Sequence, residues 1–219
     1  MISQGHNIVH IFNLLQNKEE FFMSKNSTIL GQFSVKRIAI DAVLIAMYFG
    51  LSLLSVEIGG IKLTFASLPT IICAMLFGPV DGFLVGFLGA FLEQMLKYGF
   101  TATTLLWVLP PAIRGLFIGI CALLLRRHMS VDTILQAKRP FVYFVVCIVS
   151  GILVSTLNTL VFYVDAKMFH YYEYHMIFGV FWIRIISGVL STLLMSGAAL
   201  PVIAALQRAN LVPSKKVSS

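Results

Sequence analysis

Between residues 35 and 208 the chain consists of six apolar runs joined by connections too short to hold a folded domain. They extend from about Ile38 to Val56, Leu63 to Phe77, Val80 to Leu96, Thr104 to Leu125, Phe141 to Val164 and Ile177 to Leu206. A helix needs about 20 residues to cross the hydrocarbon core of a bilayer. At about 1.5 Å per residue the second run falls short, so a tilted or partly sunken helix is expected there. It ends at Gly78-Pro79, a turn signal. Hydrophobic residues make up 58% of the 219 and charged ones 11%, and a water-soluble fold of this size cannot hide so much apolar surface. That balance excludes a disordered chain, a disulfide scaffold and a typical cytosolic enzyme. The expected fold is an all-α polytopic membrane protein with six transmembrane helices.

Charge orients it. Lys18, Lys25, Lys36 and Arg37, then Arg126, Arg127, Lys138 and Arg139, then Arg208, Lys215 and Lys216 mark one set of ends. The opposite connections carry only Lys62, Lys97 and Lys167. The positive-inside rule then puts both termini in the cytoplasm, with outer loops at about 57–62, 97–103 and 165–176. The net charge of +7 is therefore read as topology, not as affinity for nucleic acid. Residues 1–34 are expected to be an N-terminal extension, with Met23 a candidate natural start. Residues 35–208 form the membrane domain and 209–219 a cytoplasmic tail. Cys73, Cys121 and Cys147 sit in apolar runs without CxxC spacing and read as small apolar residues.

Polar groups inside a bilayer are costly and usually face a cavity or a partner. Glu93 and Gln94 lie about one turn from the outer end of the third run, and Arg114 about ten residues into the fourth. Asn158 is about six residues from the outer end of the fifth, and Arg184 about seven into the sixth. This shared depth suggests one polar cavity open to the outside, built from helices three to six. Glu93 reads as the one acid away from the span ends. It is expected either to pair with Arg114 or Arg184 and lock the bundle, or to leave one arginine for an anionic ligand. Arg suits the second role, because its planar fork grips carboxylates. Trp107 and Trp182 flank the arginines and either stack on a flat ring or anchor at the interface. Tyr171, in the aromatic stretch His170 to His175, belongs to an interfacial belt or to a ligand lid.

The segment Tyr98-Gly99-Phe100-Thr101-Ala102-Thr103-Thr104 is a candidate ligand-contacting loop, with Thr103 alternatively a helix cap. Pro110-Pro111 should kink the fourth helix. Gly82, Gly86 and Gly89-Ala90, Gly115 and Gly119, and Gly188, Ser191 and Met195 mark packing faces. Ala42 and Ala46 make a flat AxxxA face on the first helix.

Residues 35–208 resemble the substrate-binding (S) components of energy-coupling factor (ECF) vitamin transporters, the folate-type group most. The resemblance rests on six helices, cytoplasmic termini, Ala42xxxAla46, Lys62-Leu63-Thr64 with Leu68-Pro69, the stretch Met75-Leu76-Phe77-Gly78-Pro79-Val80-Asp81-Gly82, and the Gly86/Gly89 helix. It implies a protein that binds a water-soluble vitamin from outside. Ala42 and Ala46 would then dock on a transmembrane coupling subunit driven by two ATPases, and the chain topples to release its cargo. No cofactor is implied for this chain, since the partner subunits use the ATP, and it has no GxxxxGK[ST] loop. A folate would place its carboxylates on Arg114 or Arg184, its pterin N–H groups on Glu93 and its ring on Trp107 or a tyrosine. The substrate-binding set is thus Glu93, Gln94, Tyr98, Thr103, Trp107, Arg114, Asn158, Tyr171, Trp182 and Arg184.

Two other classes compete. An intramembrane enzyme needs paired acids, a metal cluster or a nucleophile–base pair on facing helices, and the spans offer Glu93 alone. A stand-alone carrier often carries inverted repeats, and no convincing repeat is present.

Overall fold

In a computed structural model the described residues are 35–58, 61–128 and 140–208. The expected extension 1–34 with Met23, the tail 209–219, and Lys138 and Arg139 lie outside them. The chain divides into a unit of residues 1–39 and a unit of residues 40–219. Of the first, only the opening helical turns are described. Six helices occur among the described residues: α1 (Val35–Leu53), α2 (Ser67–Leu76), α3 (Pro79–Tyr98), α4 (Thr104–His128), α5 (Pro140–Met168) and α6 (Phe181–Arg208). A two-stranded antiparallel hairpin, β1 (Val56–Ile58) and β2 (Ile61–Leu63), joins α1 to α2 and pairs Glu57 with Lys62. A π-helical turn, His175–Gly179, precedes α6.

Among the described residues four stretches are long and apolar enough to cross a membrane: Pro79–Tyr98, Thr104–Leu125, Phe141–Met168 and His175–Leu206. Their outward faces carry large apolar side chains such as Leu92, Leu116, Ile120, Leu160, Ile186 and Leu194. Such a girdle is costly in water and suited to lipid.

The short α2 is the centre of the core. Ser67 and every residue from Pro69 to Leu76 are buried, so this mostly apolar helix is shielded all round by its neighbours. It packs with Leu44, Val85, Ile118, Cys147 and Met195, one from each of the five other helices. Ten residues span only about 15 Å. Its start is sunk, because Ser191, ten residues into α6, lies 3.4 Å from the carbonyl of Thr64. Burial without spanning is what the short second run implied.

The turn from α2 to α3 explains the Phe77-Gly78-Pro79-Val80-Asp81-Gly82 stretch. Gly78 has φ 106°, a conformation that L side chains resist. Pro79 occupies the first turn of α3, where a missing N–H costs nothing. Asp81 sits buried in that turn, at the positive end of the helix dipole. Gly82 then lets α3 touch α4: a Cβ there would lie 2.7 Å from the carbonyl oxygen of Gly115. A Cβ on Gly86 would lie 2.5 Å from that of Pro111, and one on Gly119 would strike Pro79. The expected small-residue faces of α3 and α4 are therefore one seam. On the other side of the fold, a Cβ on Gly188 of α6 would strike the Ser155 hydroxyl of α5.

Several boundaries differ from the sequence expectation. The outer loop placed at 165–176 is helical to Met168 and coils again at His175. Pro110 and Pro111, the expected site of a kink, lie inside α4 as the sequence placed them. The three cysteines are free, Cys73 and Cys147 buried and Cys121 half-buried.

Candidate functional site

At the outer end, where α3, α4 and α5 meet the connections that follow them, the polar groups form a network centred on Asp165. Gly99, at φ 73°, turns the chain out of α3. Thr104 and Thr101 then serve the start of α4: the Thr101 N–H donates to Thr104 Oγ1 (2.8 Å), and the Thr104 N–H to the Thr101 carbonyl (3.1 Å). That arrangement leaves the Thr103 hydroxyl free for another partner. It donates to Asp165 Oδ1 at 2.5 Å, and Trp107, one turn further on, donates its indole N–H to the same oxygen at 3.4 Å.

The third donor comes from beyond α5. His170 adopts φ 60°, the left-handed conformation usual just past a helix end, and the Tyr171 N–H returns to the Ala166 carbonyl at 3.1 Å. This is the Schellman pattern, here without glycine. It turns Tyr171 back so that its hydroxyl donates to Asp165 Oδ2. Partial burial, and then the Asp165 carboxylate beside it, push the Tyr171 hydroxyl up to about 12. Rings complete the cluster. Phe162 lies 6.3 Å from Trp107 and 6.2 Å from Tyr171, and the Arg184 guanidinium sits 4.6 Å over the Phe162 ring, a cation–π distance. Thr103, Trp107, Tyr171 and Arg184 are thus brought together from three parts of the sequence.

Glu93 has a different partner from either one expected. Its Oε1 is 3.1 Å from Lys97 Nζ, one turn along α3. Lys97 also donates to the Ser52 carbonyl at 2.5 Å, meeting one of the carbonyls left over at the end of α1. The Glu93–Arg114 and Glu93–Arg184 alternatives are corrected accordingly. Proximity decides it: Lys97 is the i+4 neighbour of Glu93 on the same face, whereas Arg184 is engaged over Phe162. A second acid is buried near the start of the first run. Asp41 of α1 is buried and accepts from Cys73 Sγ at 3.4 Å.

Arg114 lies ten residues into α4, about 15 Å below its outer end. Its Nε is buried and makes no hydrogen bond among the described residues. Tyr48 and Cys147 lie within electrostatic range of it. The hydroxyls of Ser67 and Thr70 on α2 and of Thr192 on α6 are likewise buried without a hydrogen-bond partner. Buried polar groups are normally satisfied, so these four mark hydrogen-bonding capacity that the fold leaves unspent. Because α2 is sunk, Ser67 and Thr70 start near the depth of Ser191, and Arg114 and Thr192 are each about ten residues from the outer ends of their helices. The fold thus places a level of unspent polar groups beneath the satisfied Asp165 network.

The remaining sequence candidates are scattered. Gln94 and Asn158 are half-buried. Tyr98 is exposed, and Trp182, 70% exposed, meets Phe181 edge-on, which fits an interfacial anchor and separates it from Trp107. Ala42 and Ala46 are both exposed on α1. Sequence reasoning missed Asp165, Phe162, Lys97, Ser67, Thr70 and Thr192. Asp165 was within reach: it is seven residues past Asn158, on the same helical face, and was lost by ending the helix one residue early.

Comparison with known proteins agrees with this architecture. The UPF0397 proteins of Lactobacillus gasseri and Lactobacillus johnsonii are each 33% identical over 95 residues, 43% of this chain and 50% of theirs. The chain thus spans about half the length of these curated relatives. Residues 36–206, nearly the whole described fold, match the family of ECF transporter substrate-specific components. The chain therefore belongs to that family and is a multi-pass protein of the cell membrane.

Proposed function

We propose that this chain is the vitamin-binding component of an ECF-type importer. It takes up folate or another water-soluble vitamin from the outside, with both chain ends on the cytoplasmic side. It passes the cargo on through a transmembrane coupling subunit and two ATPases, and itself catalyses nothing. The observation that carries the reading is Arg114: a guanidinium deep in α4 whose buried Nε has no hydrogen-bond partner among the described residues, while Glu93 is held by Lys97. A buried cation of this kind is costly unless something anionic completes it, and a vitamin carboxylate supplies both charge and acceptors. Ser67, Thr70 and Thr192 add hydrogen bonds for the rest of the molecule. The exposed Ala42 and Ala46 on α1 offer the coupling subunit a flat face without disturbing the core.

The test is calorimetric titration of the purified protein with folic acid and with pantothenate, repeated on Arg114→Ala. Loss of a buried charged partner costs about 2–5 kcal/mol, so affinity for the anionic vitamin that binds should fall by at least about thirtyfold. Equal affinity in the two proteins would remove Arg114 from the site.

A further inference from the structure

We propose that Asp165 is a positioning residue that latches the outer mouth of the ligand site. It does so by tying the start of α4 and the connection after α5 to one carboxylate. The inference rests on reading the level of Arg114 as the vitamin site, and concerns what closes it.

Three donors from two separate segments converge on this side chain: Thr103 and Trp107 on Oδ1, Tyr171 on Oδ2. All three polar groups of this outer network have a partner, whereas Arg114 Nε and the hydroxyls of Ser67, Thr70 and Thr192 have none among the described residues. A ligand-contacting shell would show the reverse. A carboxylate has about four lone-pair sites, and three donors nearly fill it. Hydrogen bonds to a charged acceptor are about twice as strong as neutral ones, which suits a closure that must hold a tightly bound cargo.

The local backbone is arranged for the same end. Thr101 and Thr104 cap α4 between themselves and so release Thr103. His170 bears a left-handed φ that orients Tyr171 toward Asp165. Trp107, Phe162 and Tyr171 then lie ring against ring across the mouth, with Arg184 behind Phe162. In this arrangement Thr103, Trp107 and Tyr171 act as the closure over the vitamin, and cargo enters when their bonds to Asp165 break.

The chain has two tryptophans, which makes the latch directly observable. In a Trp182→Phe background, Trp107 is the sole tryptophan. Acrylamide quenching of its fluorescence in nanodiscs then reports exposure of the mouth. Asp165→Asn should raise the quenching constant at least twofold, and Asp165→Glu should restore it. Tyr171→Phe, altering a side chain that is 41% exposed, should give a smaller rise and keeps the test decisive if Asp165→Asn does not fold. In parallel, tritiated folic acid preloaded on the protein should dissociate about tenfold faster from Asp165→Asn, as expected for loss of one charge-assisted hydrogen bond. Quenching unchanged in both Asp165→Asn and Tyr171→Phe overturns the latch. So does a rise that Asp165→Glu fails to reverse, since that is lost packing. A latch response in a protein that binds neither folic acid nor any other vitamin supports the latch and counts against the vitamin site.

Discussion

Lys97 joins the first helix to the helix that carries Glu93, and its removal should be felt as a coupled loss. Its ammonium lies 3.1 Å from Glu93 Oε1 and 2.5 Å from the Ser52 carbonyl. The two side chains of the pair are only 21% and 10% exposed, so solvent screening is weak. Lys97→Met keeps the length of the side chain and deletes the charge. Hydrogen bonds to charged groups contribute about 1.5–3 kcal/mol each; with partial compensation by the methionine's packing, the expected loss is about 2–3 kcal/mol. For a chain of this size each kcal/mol shifts the melting temperature by about 2–4 °C, so Lys97→Met should melt about 4–12 °C lower in detergent. Glu93→Gln and the double variant complete a cycle. The coupling energy should be about 1–2 kcal/mol, within the range for contacting residues. Additive effects, with a coupling below about 0.3 kcal/mol, would show that the Glu93–Lys97 pair contributes nothing.

Two further outcomes follow from the packing. Gly115→Leu should prevent α3 and α4 from closing and abolish folded, monodisperse protein on size-exclusion chromatography, because even a Cβ at Gly115 would strike the Gly82 backbone; a normally folded variant would refute the glycine seam. Ala42→Trp lies on an exposed face, so vitamin binding and melting temperature should stay unchanged while ATP-dependent uptake in cells is lost; weakened binding in a well-assembled variant would refute a docking role.

Much of the fold could be read from the residues because a bilayer permits few solutions. Backbone groups in hydrocarbon must be satisfied within a segment, so an apolar run is a helix and its length gives its fate. That logic gave α2 its sunken place from length alone. It also gave Gly82, Gly86, Gly115 and Gly119 a packing role, since spacing by four places them on one helical face. Partner choice was less legible. Glu93 faces a lysine four residues on and two arginines elsewhere, and a sequence lists all three without distances. Local geometry decided in favour of the neighbour.

The outer network was hidden for another reason. Asp165 falls where the apolar run stops, so it reads as the first residue of a loop. Only the extra helical turn to Met168, and the left-handed His170 behind it, bring Tyr171 back onto it. Ser67, Thr70 and Thr192 were equally silent, because hydroxyls in membrane helices commonly bond their own backbone. Their lack of partners emerges only once the helices are packed.

The central claim is that this chain holds a vitamin, and the most direct test is mass spectrometry of small molecules released on denaturing the gently extracted, purified protein. The account predicts one water-soluble vitamin at close to one per chain, absent from Arg114→Ala prepared in the same way. An empty protein that no member of a vitamin panel stabilises would contradict it.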